Sequence, residues 1–422
     1  MSGFDFADVP FDLKNPSLYE DDQQDAIFTS LREECPVFWN PEVDGSGFWC
    51  LTKYDDIVAA SKNPKLFSSA RDWGGHRIFD EKEAGGAALG DAALGDTSDV
   101  DTSMISMDPP EHNTYRGMVT PGFTPPRIKG MEESIRARVR NILDKLDGKD
   151  HCEFVASIAA ELPIQVLAEL FGIPQEDRLK LLEWSNALVG EDDPELRPSD
   201  AYIAASFAEM SNYAMNLWQD RLENPGDDLI TMLAHARIDG DPMTPERYIG
   251  TFILLVVGGN ETTRQSIAGG TLALSEHPEQ RQKLLDDPSL IPTAVNEIVR
   301  WVSPVLHMRR TATEDTEIGG QKIAKGDKVV MWYVSANRDE DKFPDPFKFD
   351  VTRHDAMQLG FGIGQHFCLG SRLAELQLRV LFEELLARYP NIQPTAPVRR
   401  IKSNFIRGIK EMQVDLNPKV TV

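Results

Sequence analysis

A cysteine inside a glycine-rich loop has the surroundings of a metal ligand. Cys368 lies in the segment FGIGQHFCLG, residues 361–370, just before a pattern that predicts a helix over residues 369–389. The unpaired backbone N–H groups at a helix N-terminus stabilise a thiolate, and glycines let the backbone bend tightly around the sulfur. The loop therefore indicates either a thiolate that binds one metal ion or a buried structural cysteine beside a glycine turn.

A small and polar segment interrupts a long predicted helix. Thr-Pro-Glu at residues 244–246 has the residue types of a helix start, and the helical pattern continues to about residue 276. The segment GGNETT, residues 258–263, lies in the middle of this helix. Because a glycine in a helix interior costs about 1 kcal/mol relative to alanine, the glycine pair indicates that another group approaches the helix backbone closely here.

The composition is that of a globular protein. Hydrophobic residues make up 41% and charged residues 27% of the 422 residues, and the formal net charge is −24. These values exclude a wholly disordered chain, and the negative charge argues against the basic surface that a nucleic-acid-binding protein needs. No run approaches the roughly 18 apolar residues of a membrane span. The acidic segment MSGFDFADVPFDL does not have the pattern of a signal peptide, so a cytoplasmic protein without a membrane span is expected.

The other cysteines give no sign of a metal cluster. The four cysteines are Cys35, Cys50, Cys152 and Cys368, and no two of them form a CxxC pair. This spacing argues strongly against an all-cysteine zinc site or an iron–sulfur cluster, and a disulfide framework is not expected in a long cytoplasmic chain. The first three cysteines lack glycine neighbours of the kind found around Cys368, so they are expected to be packing residues.

The elements around the two motifs are mostly helical. Residues 47–54 predict a strand, and residues 318–334 predict hairpin strands with glycine turns. The segment DPPE, residues 108–111, predicts a helix with Asp as N-cap, and helical patterns dominate from there to about residue 300. Residues 83–103 contain AALGD twice and no Lys or Arg, which predicts a flexible loop, either a tolerated insertion or a flap over a ligand pocket. No clear linker is present, so a single domain over residues 1–422 is expected.

The loop at residues 361–370 matches FGxGxHxCxG and resembles the haem-binding signature of the cytochrome P-450 family, whose cysteine thiolate binds the haem iron. Further segments resemble that family's motifs in the same order. These are DPPEHNTYR (108–116) for the haem-propionate helix, GNETT (259–263) for the oxygen-activating kink, EIVR (297–300) for the ExxR helix, and Arg353 for its third partner. The resemblance covers roughly residues 30–410.

The resemblance implies a fold and a cofactor. The expected fold is mainly α with small β-sheets, with the long central helix over the haem and the cysteine loop beneath it. The cofactor is haem b, with Cys368 as the iron ligand. The residues expected to contact the haem are His112, Arg116, Arg310, His366, Phe361 and Gly362, with Arg309 as the alternative to Arg310. Glu297 and Arg300 are expected to be structural.

The resemblance also implies an activity, which is a haem-thiolate monooxygenase that uses O₂. Thr262 is expected to hold the oxygen intermediate and Glu261 to relay protons. The positions that the family places over the haem are apolar or lack a side chain, and here they are Val257, Gly258, Val305, Leu306, Phe405 and Ile406. An apolar aliphatic substrate is therefore expected, such as an alkyl chain, a terpenoid or a steroid side chain. The alternative is a small aromatic compound selected by the 83–103 loop.

The source of electrons follows from what the chain lacks. No Rossmann glycine fingerprint, flavin-binding segment or cysteine cluster is present in the sequence. The resemblance implies a ferredoxin with an NAD(P)H-dependent ferredoxin reductase, and a monomer is expected. Four basic residues could bind the ferredoxin or could be ordinary solvated side chains. They are Arg127, Lys129, Arg372 and Arg379. Two rival functions are a peroxide-driven haem-thiolate enzyme, against which the Glu261-Thr262 pair argues, and a non-catalytic haem sensor or carrier.

Overall fold

The computed structural model describes residues 12–43, 45–81, 103–190, 192–238 and 240–417. The loop predicted at 83–103 lies outside these residues except for its last position.

Within the described residues the chain forms fifteen α-helices: α1 Ser17–Glu20, α2 Gln24–Glu34, α3 Tyr54–Ser61, α4 Glu111–Val119, α5 Pro125–Gly130, α6 Glu132–Asp144, α7 Glu161–Phe171, α8 Arg178–Val189, α9 Asp200–Glu223, α10 Leu229–Ala234, α11 Pro245–Glu276, α12 Pro278–Asp286, α13 Ile291–Val302, α14 Tyr333–Ala336 and α15 Ser371–Arg388.

The β-strands of the described residues are short and belong to small sheets. They are β1 Val37–Asn40, β2 Phe48–Leu51, β3 Phe67–Ser68, β4 His151–Glu153, β5 Arg237–Ile238, β6 Asp241–Pro242, β7 His307–Ala312, β8 Thr316–Ile318, β9 Gln321–Ile323, β10 Lys328–Trp332, β11 Gln393–Pro394, β12 Arg399–Arg400, β13 Ile409–Glu411 and β14 Gln413–Asp415. The predominance of helices confirms the fold class expected from the sequence.

The longest helix, α11, confirms the predicted start and length. The Thr244 side chain accepts a hydrogen bond from the Arg247 backbone N–H at 3.5 Å, and Pro245 is the first helical residue. The helix packs against α7, α8, α13 and α15, so that most of its length is buried. No helix in the described part of the chain is both long and apolar enough to cross a membrane.

The largest sheet lies beside the helical core and has the strand order β1-β2-β10-β7-β3. Strands β2 and β10 are parallel, and the other neighbours are antiparallel. Successive side chains of a strand point to opposite faces. Val330 and Trp332 of β10 therefore pack with Phe28 of α2 on one face, whereas Val329 and Met331 pack near α3 on the other. The sheet is thus buried on both sides.

One large hydrophobic cluster joins the helices around α11. It contains buried side chains from every helix between α4 and α15 except α14. The cluster connects α11 with α15, the helix that directly follows the cysteine loop. The two sequence motifs therefore lie on elements that share one rigid core.

Helix α4 begins later than the sequence predicts. Asp108 was the expected N-cap, but α4 starts at Glu111 and has no side-chain cap. The Asp108 carboxylate instead accepts hydrogen bonds from the Ser69 backbone N–H at 2.9 Å and from the Ser68 hydroxyl. Asp108 therefore ties the end of β3 to the start of α4, a tertiary contact that local spacing does not reveal.

Candidate active site

The loop before α15 presents the Cys368 sulfur to an internal cavity. At Gly364 the φ angle is +77°, and a Cβ would lie 2.5 Å from the Ser61 carbonyl oxygen, so only glycine fits this position. The Cys368 backbone N–H donates to the Phe361 carbonyl oxygen at 2.9 Å and closes the loop. Because α15 begins at Ser371, the sulfur lies just before the positive end of the helix dipole.

Burial raises the pKa of the Cys368 thiol to about 11. The backbone N–H groups of Gly370 and Ser371 and the Arg116 guanidinium act in the opposite direction, because each of them stabilises the thiolate. A metal cation bound to the sulfur stabilises the thiolate further and displaces its proton. The loop therefore suits a metal-bound thiolate better than a free one.

The predicted ExxR pair forms a buried ion pair. The Arg300 Nε donates to Glu297 Oε2 at 2.7 Å, and the two side chains are 2% and 1% exposed. The Arg353 Nε lies 3.3 Å from the same carboxylate oxygen, which confirms the predicted third partner. Arg300 also donates to the carbonyl oxygens of Asn337 and Pro346 at 2.8 and 2.9 Å. The cluster thus fixes the chain segments that lead into the cysteine loop.

Basic side chains converge at one end of the cavity. The rings of His112 and His366 lie 4.2 Å apart, and Arg116 and Arg310 line the same region. The His112 Nδ1 is buried without a hydrogen-bond partner among the described residues. Arg310 is 4% exposed, donates to the Arg309 carbonyl oxygen at 2.7 Å, and forms no ion pair with a described carboxylate. Since a buried arginine without an anion is costly, this corner suits the carboxylates of a ligand.

The choice of Arg310 over Arg309 agrees with the strand geometry. Neighbouring side chains of β7 point to opposite faces, and the Arg309 guanidinium donates to the Trp73 and Phe79 carbonyl oxygens away from the cavity. The Arg310 side chain lines the cavity instead. Burial lowers the pKa of Arg310. Burial also lowers the pKa of His366 well below its usual range, and the positive charge of Arg310 lowers it further. An anion bound there would favour the charged forms of both side chains and so act against both shifts.

Thr262 of α11 also lines the cavity. Its hydroxyl donates to the Gly258 carbonyl oxygen at 3.0 Å, which is the bond that a threonine within a helix ordinarily makes. The hydroxyl oxygen retains its acceptor lone pairs, so it can still accept a hydrogen bond from a group in the cavity.

Glu261 faces away from the cavity wall. Its side chain is 2% exposed, and it forms an ion pair with the Arg264 guanidinium while accepting a hydrogen bond from Gln265 Nε2 at 2.6 Å. Arg264 in turn donates to Asn186 Oδ1 on α8 at 2.8 Å, and Gln265 Oε1 accepts from the Ile409 backbone N–H at 2.7 Å. The carboxylate is therefore held in a network that connects α11 with α8 and β13.

The cavity has a volume of about 250 Å³ and brings most of the predicted site together. The cysteine loop and α11 form parts of its wall. The basic corner, which consists of His112, Arg116, Arg310 and His366, forms one end. The predicted residues that line it are Cys368, Phe361, Gly362, His112, Arg116, Arg310, His366, Thr262, Gly258 and Val305.

Four residues predicted to contact the substrate, Val257, Leu306, Phe405 and Ile406, are not among the residues that line this cavity. Leu306 is fully buried in the cluster that also contains Val330 and Trp332, because it follows the cavity-lining Val305 and points to the opposite side. The Phe405 ring is covered by the Arg77 guanidinium at 3.7 Å. Ile406 is 3% exposed and pairs with Val305 through a β-bridge. Val257 lies one position from Gly258 on a different face of α11.

One face of α7 belongs to the site but was not predicted from the sequence. Its side chains at Pro163, Val166, Leu167, Leu170 and Phe171 line the cavity. They recur at the three- and four-residue spacing of a helical face. The sequence therefore shows an apolar stripe, but such a stripe looks the same whether it packs in the core or lines a cavity. Tyr333 was also missed. It lines the cavity near Arg310, directly after the end of β10.

Comparison with known proteins identifies the family. The sequence model described as Cytochrome P450 matches residues 282–416. A linalool 8-monooxygenase of Pseudomonas putida is 48% identical over 408 residues, which are 97% of this chain and 99% of that protein. A methyl-branched lipid omega-hydroxylase of Mycobacterium tuberculosis is 40% identical over 407 residues, 94% of this chain and 91% of that protein.

The solved structures agree with this result. A Mycobacterium marinum cytochrome P450 in complex with pseudoionone superposes with a TM-score of 0.88 at 36% identity, covering 96% of this chain and 98% of that chain. The chain therefore belongs to the cytochrome P450 family and has its fold. It is a monooxygenase whose cofactor is haem b. The resemblance found in the sequence is confirmed.

The residues of the cavity fit this cofactor. Haem b carries one iron and two propionate carboxylates, and the cavity offers one cysteine sulfur opposite α11 together with a buried basic corner. The unpartnered His112 Nδ1 and the unpaired Arg310 guanidinium are donors for which the described residues supply no anion. The two propionate carboxylates of the haem would supply this anion.

Proposed function

We propose that this chain hydroxylates an apolar, predominantly aliphatic small molecule, such as an alkyl chain, a terpenoid or a steroid side chain. Electrons would come from a ferredoxin and its NAD(P)H-dependent reductase. A single domain carries the whole site in this proposal, with Cys368 as the iron ligand. His112, Arg116, Arg310 and His366 hold the propionates, and Phe361 and Gly362 pack against the haem.

The observation that carries the substrate class is the chemistry of the cavity wall. Away from the basic corner, the wall is built mainly from aliphatic and thioether side chains, with Phe171 of α7 as an aromatic neighbour. The aliphatic and thioether residues are Met104, Ile105, Pro163, Val166, Leu167, Leu170, Leu254, Leu255, Val305 and Met308. The basic side chains that line the cavity lie in the corner assigned to the propionates, so no further ionic anchor is left among the described wall residues for a charged substrate.

The energetics favour a hydrocarbon on such a wall. Each buried CH₂ contributes about 0.8 kcal/mol, so a chain of about ten carbons reaches micromolar affinity without a polar contact. A charged head group in the same place would lose its hydration and gain no partner. The names of the relatives, which refer to linalool and to methyl-branched lipids, support the same class.

A titration of the purified haem protein tests this proposal. Substrates that displace water from the iron shift its absorption band from low to high spin, so fatty alcohols, monoterpenes, sterols and small phenolics can be compared directly. We expect saturable shifts with aliphatic compounds at micromolar concentration. A shift with a phenolic or a charged compound, and with no aliphatic compound, would contradict the proposed substrate class and favour the aromatic alternative.

Haem held by Cys368 would supply the activation of O₂ and the oxidising power for a substrate C–H bond. The protein positions the substrate and supplies protons. Thr262 faces the cavity, so its hydroxyl can hold a water molecule or an oxygen ligand by a hydrogen bond. Glu261 is expected to deliver protons. Because the ion pair with Arg264 holds its carboxylate away from the cavity, the carboxylate must rotate out of this pair to take up a proton and pass it on.

Thr262→Ala is predicted to divert reducing equivalents to hydrogen peroxide. The lost hydroxyl contacts no cavity-lining side chain, so haem content and substrate affinity are expected to stay within about twofold, whereas product formed per NAD(P)H falls by about tenfold or more. Coupling is measured as product and peroxide per NAD(P)H consumed.

Thr271→Ala is the matched control for this prediction. Thr271 lies on the same helix and makes the same bond, from its hydroxyl to the Ile267 carbonyl oxygen at 2.9 Å, but it is absent from the cavity wall. Its replacement should leave coupling unchanged. If Thr262→Ala is coupled as well as the wild type, another group delivers the protons.

The electron source is testable in the same assay. Of the four basic residues considered as a ferredoxin dock, Arg127 pairs with Asp227 at 2.9 Å and Arg379 with Glu132 at 2.7 Å. Lys129 and Arg372 form no ion pair within the described residues, so they are the better candidates. We expect turnover with NAD(P)H, ferredoxin and reductase. Equal or faster turnover with peroxide alone would identify the peroxide-driven alternative, and no turnover with either would identify a haem sensor or carrier.

A further inference from the structure

A buried polar cluster outside the cavity wall joins two separate segments of the chain. The Glu81 carboxylate is buried, and its Oε2 accepts a hydrogen bond from the Ser106 hydroxyl at 2.8 Å. Its Oε1 accepts from the backbone N–H groups of His76 and Arg77 at 2.9 and 3.0 Å. The His76 Nδ1 lies 2.8 Å from both Ser106 Oγ and Glu81 Oε1. We call Glu81, His76 and Ser106 the carboxylate clamp, and none of the three lines the cavity.

The groups of the carboxylate clamp satisfy one another. An ionised carboxylate only accepts hydrogen bonds, and the Ser106 O–H is used on Glu81, so the His76 Nδ1 must carry a hydrogen. Burial raises the pKa of the Glu81 carboxyl, but the charge of His76 and the hydrogen bonds from His76 and Ser106 outweigh burial and lower this pKa to about 2. At Gly75 the φ angle is +81°, and a Cβ would overlap the Glu81 carboxylate, so the backbone also conforms to the clamp.

The carboxylate clamp holds a short turn that forms part of the cavity wall. Residues Met104–Ser106 form a 3₁₀ turn, and Met104 and Ile105 line the cavity. Met104 is anchored in the large hydrophobic cluster around α11, whereas Ile105 belongs to none of the three hydrophobic clusters of the described residues. The position of the Ile105 side chain therefore depends on the backbone of the turn, which Ser106 ties to the clamp.

The clamp also connects this turn with β7. The His76 carbonyl oxygen accepts a hydrogen bond from the Arg309 backbone N–H at 2.8 Å. The two neighbours of Arg309 on the strand, Met308 and Arg310, line the cavity. His76 thus binds β7 through its backbone and Ser106 through its side chain, so it fixes one part of the cavity wall relative to another.

We propose that Ser106, bound by Glu81 and His76, is a positioning residue that fixes Ile105 on the cavity wall and so limits which carbon of an aliphatic chain is oxidised. The inference rests on the proposed function and adds a residue that acts without touching the substrate. An apolar contact would fill the same space, but a satisfied polar network also fixes the direction of the chain. Direction matters here, because a displacement of about 1 Å at a site can change the rate about 100-fold.

Ser106→Ala tests the inference through the products formed from decanol with ferredoxin, reductase and NAD(P)H. The variant keeps Ile105 but loses the bond that holds its backbone, so more carbons of the chain can reach the oxidising position. We expect the ratio of the main regioisomer to all others to fall by about threefold or more. Haem content and the thiolate signature should equal those of the wild type. A role in stability alone would lower the unfolding temperature and haem content and leave the ratio unchanged.

Ser134→Ala is the matched control, since it removes the same kind of bond elsewhere. The Ser134 hydroxyl on α6 donates to the Glu169 carboxylate on α7 at 2.6 Å, and neither residue lines the cavity. Its product ratio should equal that of the wild type. A change as large as that in Ser106→Ala would show that the loss of any such bond alters the products, and would overturn the inference.

Ile105→Ala shows whether Ser106 acts through the wall. Removing the side chain that the clamp positions should change the product ratio by itself, and Ser106→Ala should then add no further change. An unchanged ratio in Ser106→Ala overturns the inference, and so does a change of full size in the Ile105→Ala background. If the wild type does not oxidise decanol, the proposed function fails before any variant is compared, and the inference fails with it.

Discussion

Cys368→His is expected to abolish monooxygenase activity and to remove the absorption signature of the thiolate in the reduced carbon monoxide complex. A neutral imidazole donates less electron density to the iron than a thiolate does, so O–O cleavage loses the group that favours it. We expect turnover to fall by about a thousandfold or more, which corresponds to at least about 4 kcal/mol in the activation barrier. The measurement is the reduced carbon monoxide difference spectrum together with product formation.

Cys35→Ser is the control for this substitution. The Cys35 thiol is half-buried and donates to the Val37 carbonyl oxygen at 3.5 Å, far from the loop that presents Cys368. The variant should keep the thiolate signature and the activity of the wild type. If the signature persists in Cys368→His, the iron has a different ligand and the assignment of the cysteine loop is wrong.

Arg300→Met is expected to have the largest effect on stability. The Glu297 carboxylate would lose two charge-assisted bonds of 2.7 Å and stay buried. The carbonyl oxygens of Asn337 and Pro346 would lose a donor as well. Removing one partner of a buried ion pair typically costs about 3–5 kcal/mol, so most of the protein should fail to retain haem at physiological temperature. Thermal unfolding and haem content measure both effects.

Arg399→Met provides the comparison with an exposed ion pair. Its guanidinium binds Glu195 and Glu411, but the side chain is 52% exposed, and such pairs contribute little to stability. The unfolding temperature should therefore remain close to that of the wild type. Arg300→Met with normal haem content and an unchanged unfolding temperature would contradict the structural role given to the cluster.

The sequence predicts those parts of the site whose residues lie close together in the chain, because their contacts follow from local geometry. The cysteine loop combines a thiol and glycines at positive φ angles within ten consecutive residues and is followed directly by a helix, and the structure places them as expected. The start of α11 was also predictable, because Thr244 and Pro245 act within one turn. Glu297 and Arg300 lie three positions apart on one helix, so their ion pair follows from helix geometry.

The parts that depend on tertiary contacts were not predictable in the same way. Asp108 has the sequence context of an N-cap, but Ser68 and Ser69 at the end of the distant strand β3 bind its carboxylate instead. Leu306 and Val305 are both apolar, and only the strand orientation decides which of them faces the cavity. The apolar face of α7 has the residue pattern of a helix that packs in the core. It lines the cavity because of the position in which α7 packs against α11, which the local sequence does not determine.

The orientation of Glu261 is a further case. Arg264 and Gln265, three and four residues later, lie on the same helical face, so an ion pair and a hydrogen bond were available from spacing alone. The contacts that fix them come from elsewhere in the chain, since Asn186 on α8 and the Ile409 N–H complete the network. The position of the Glu261 carboxylate therefore depends on groups that the local sequence does not contain.

The most direct test of the central claim is the fate of oxygen in a complete reaction. The haem protein is mixed with ferredoxin, reductase, NAD(P)H and an aliphatic substrate that gave a spin shift, under isotopically labelled O₂. We predict a hydroxylated product that carries one labelled oxygen atom, with formation that depends on NAD(P)H and is lost in Cys368→His. Unlabelled product, or no oxygenated product from any aliphatic compound that binds, would contradict the assignment as a monooxygenase of apolar aliphatic substrates.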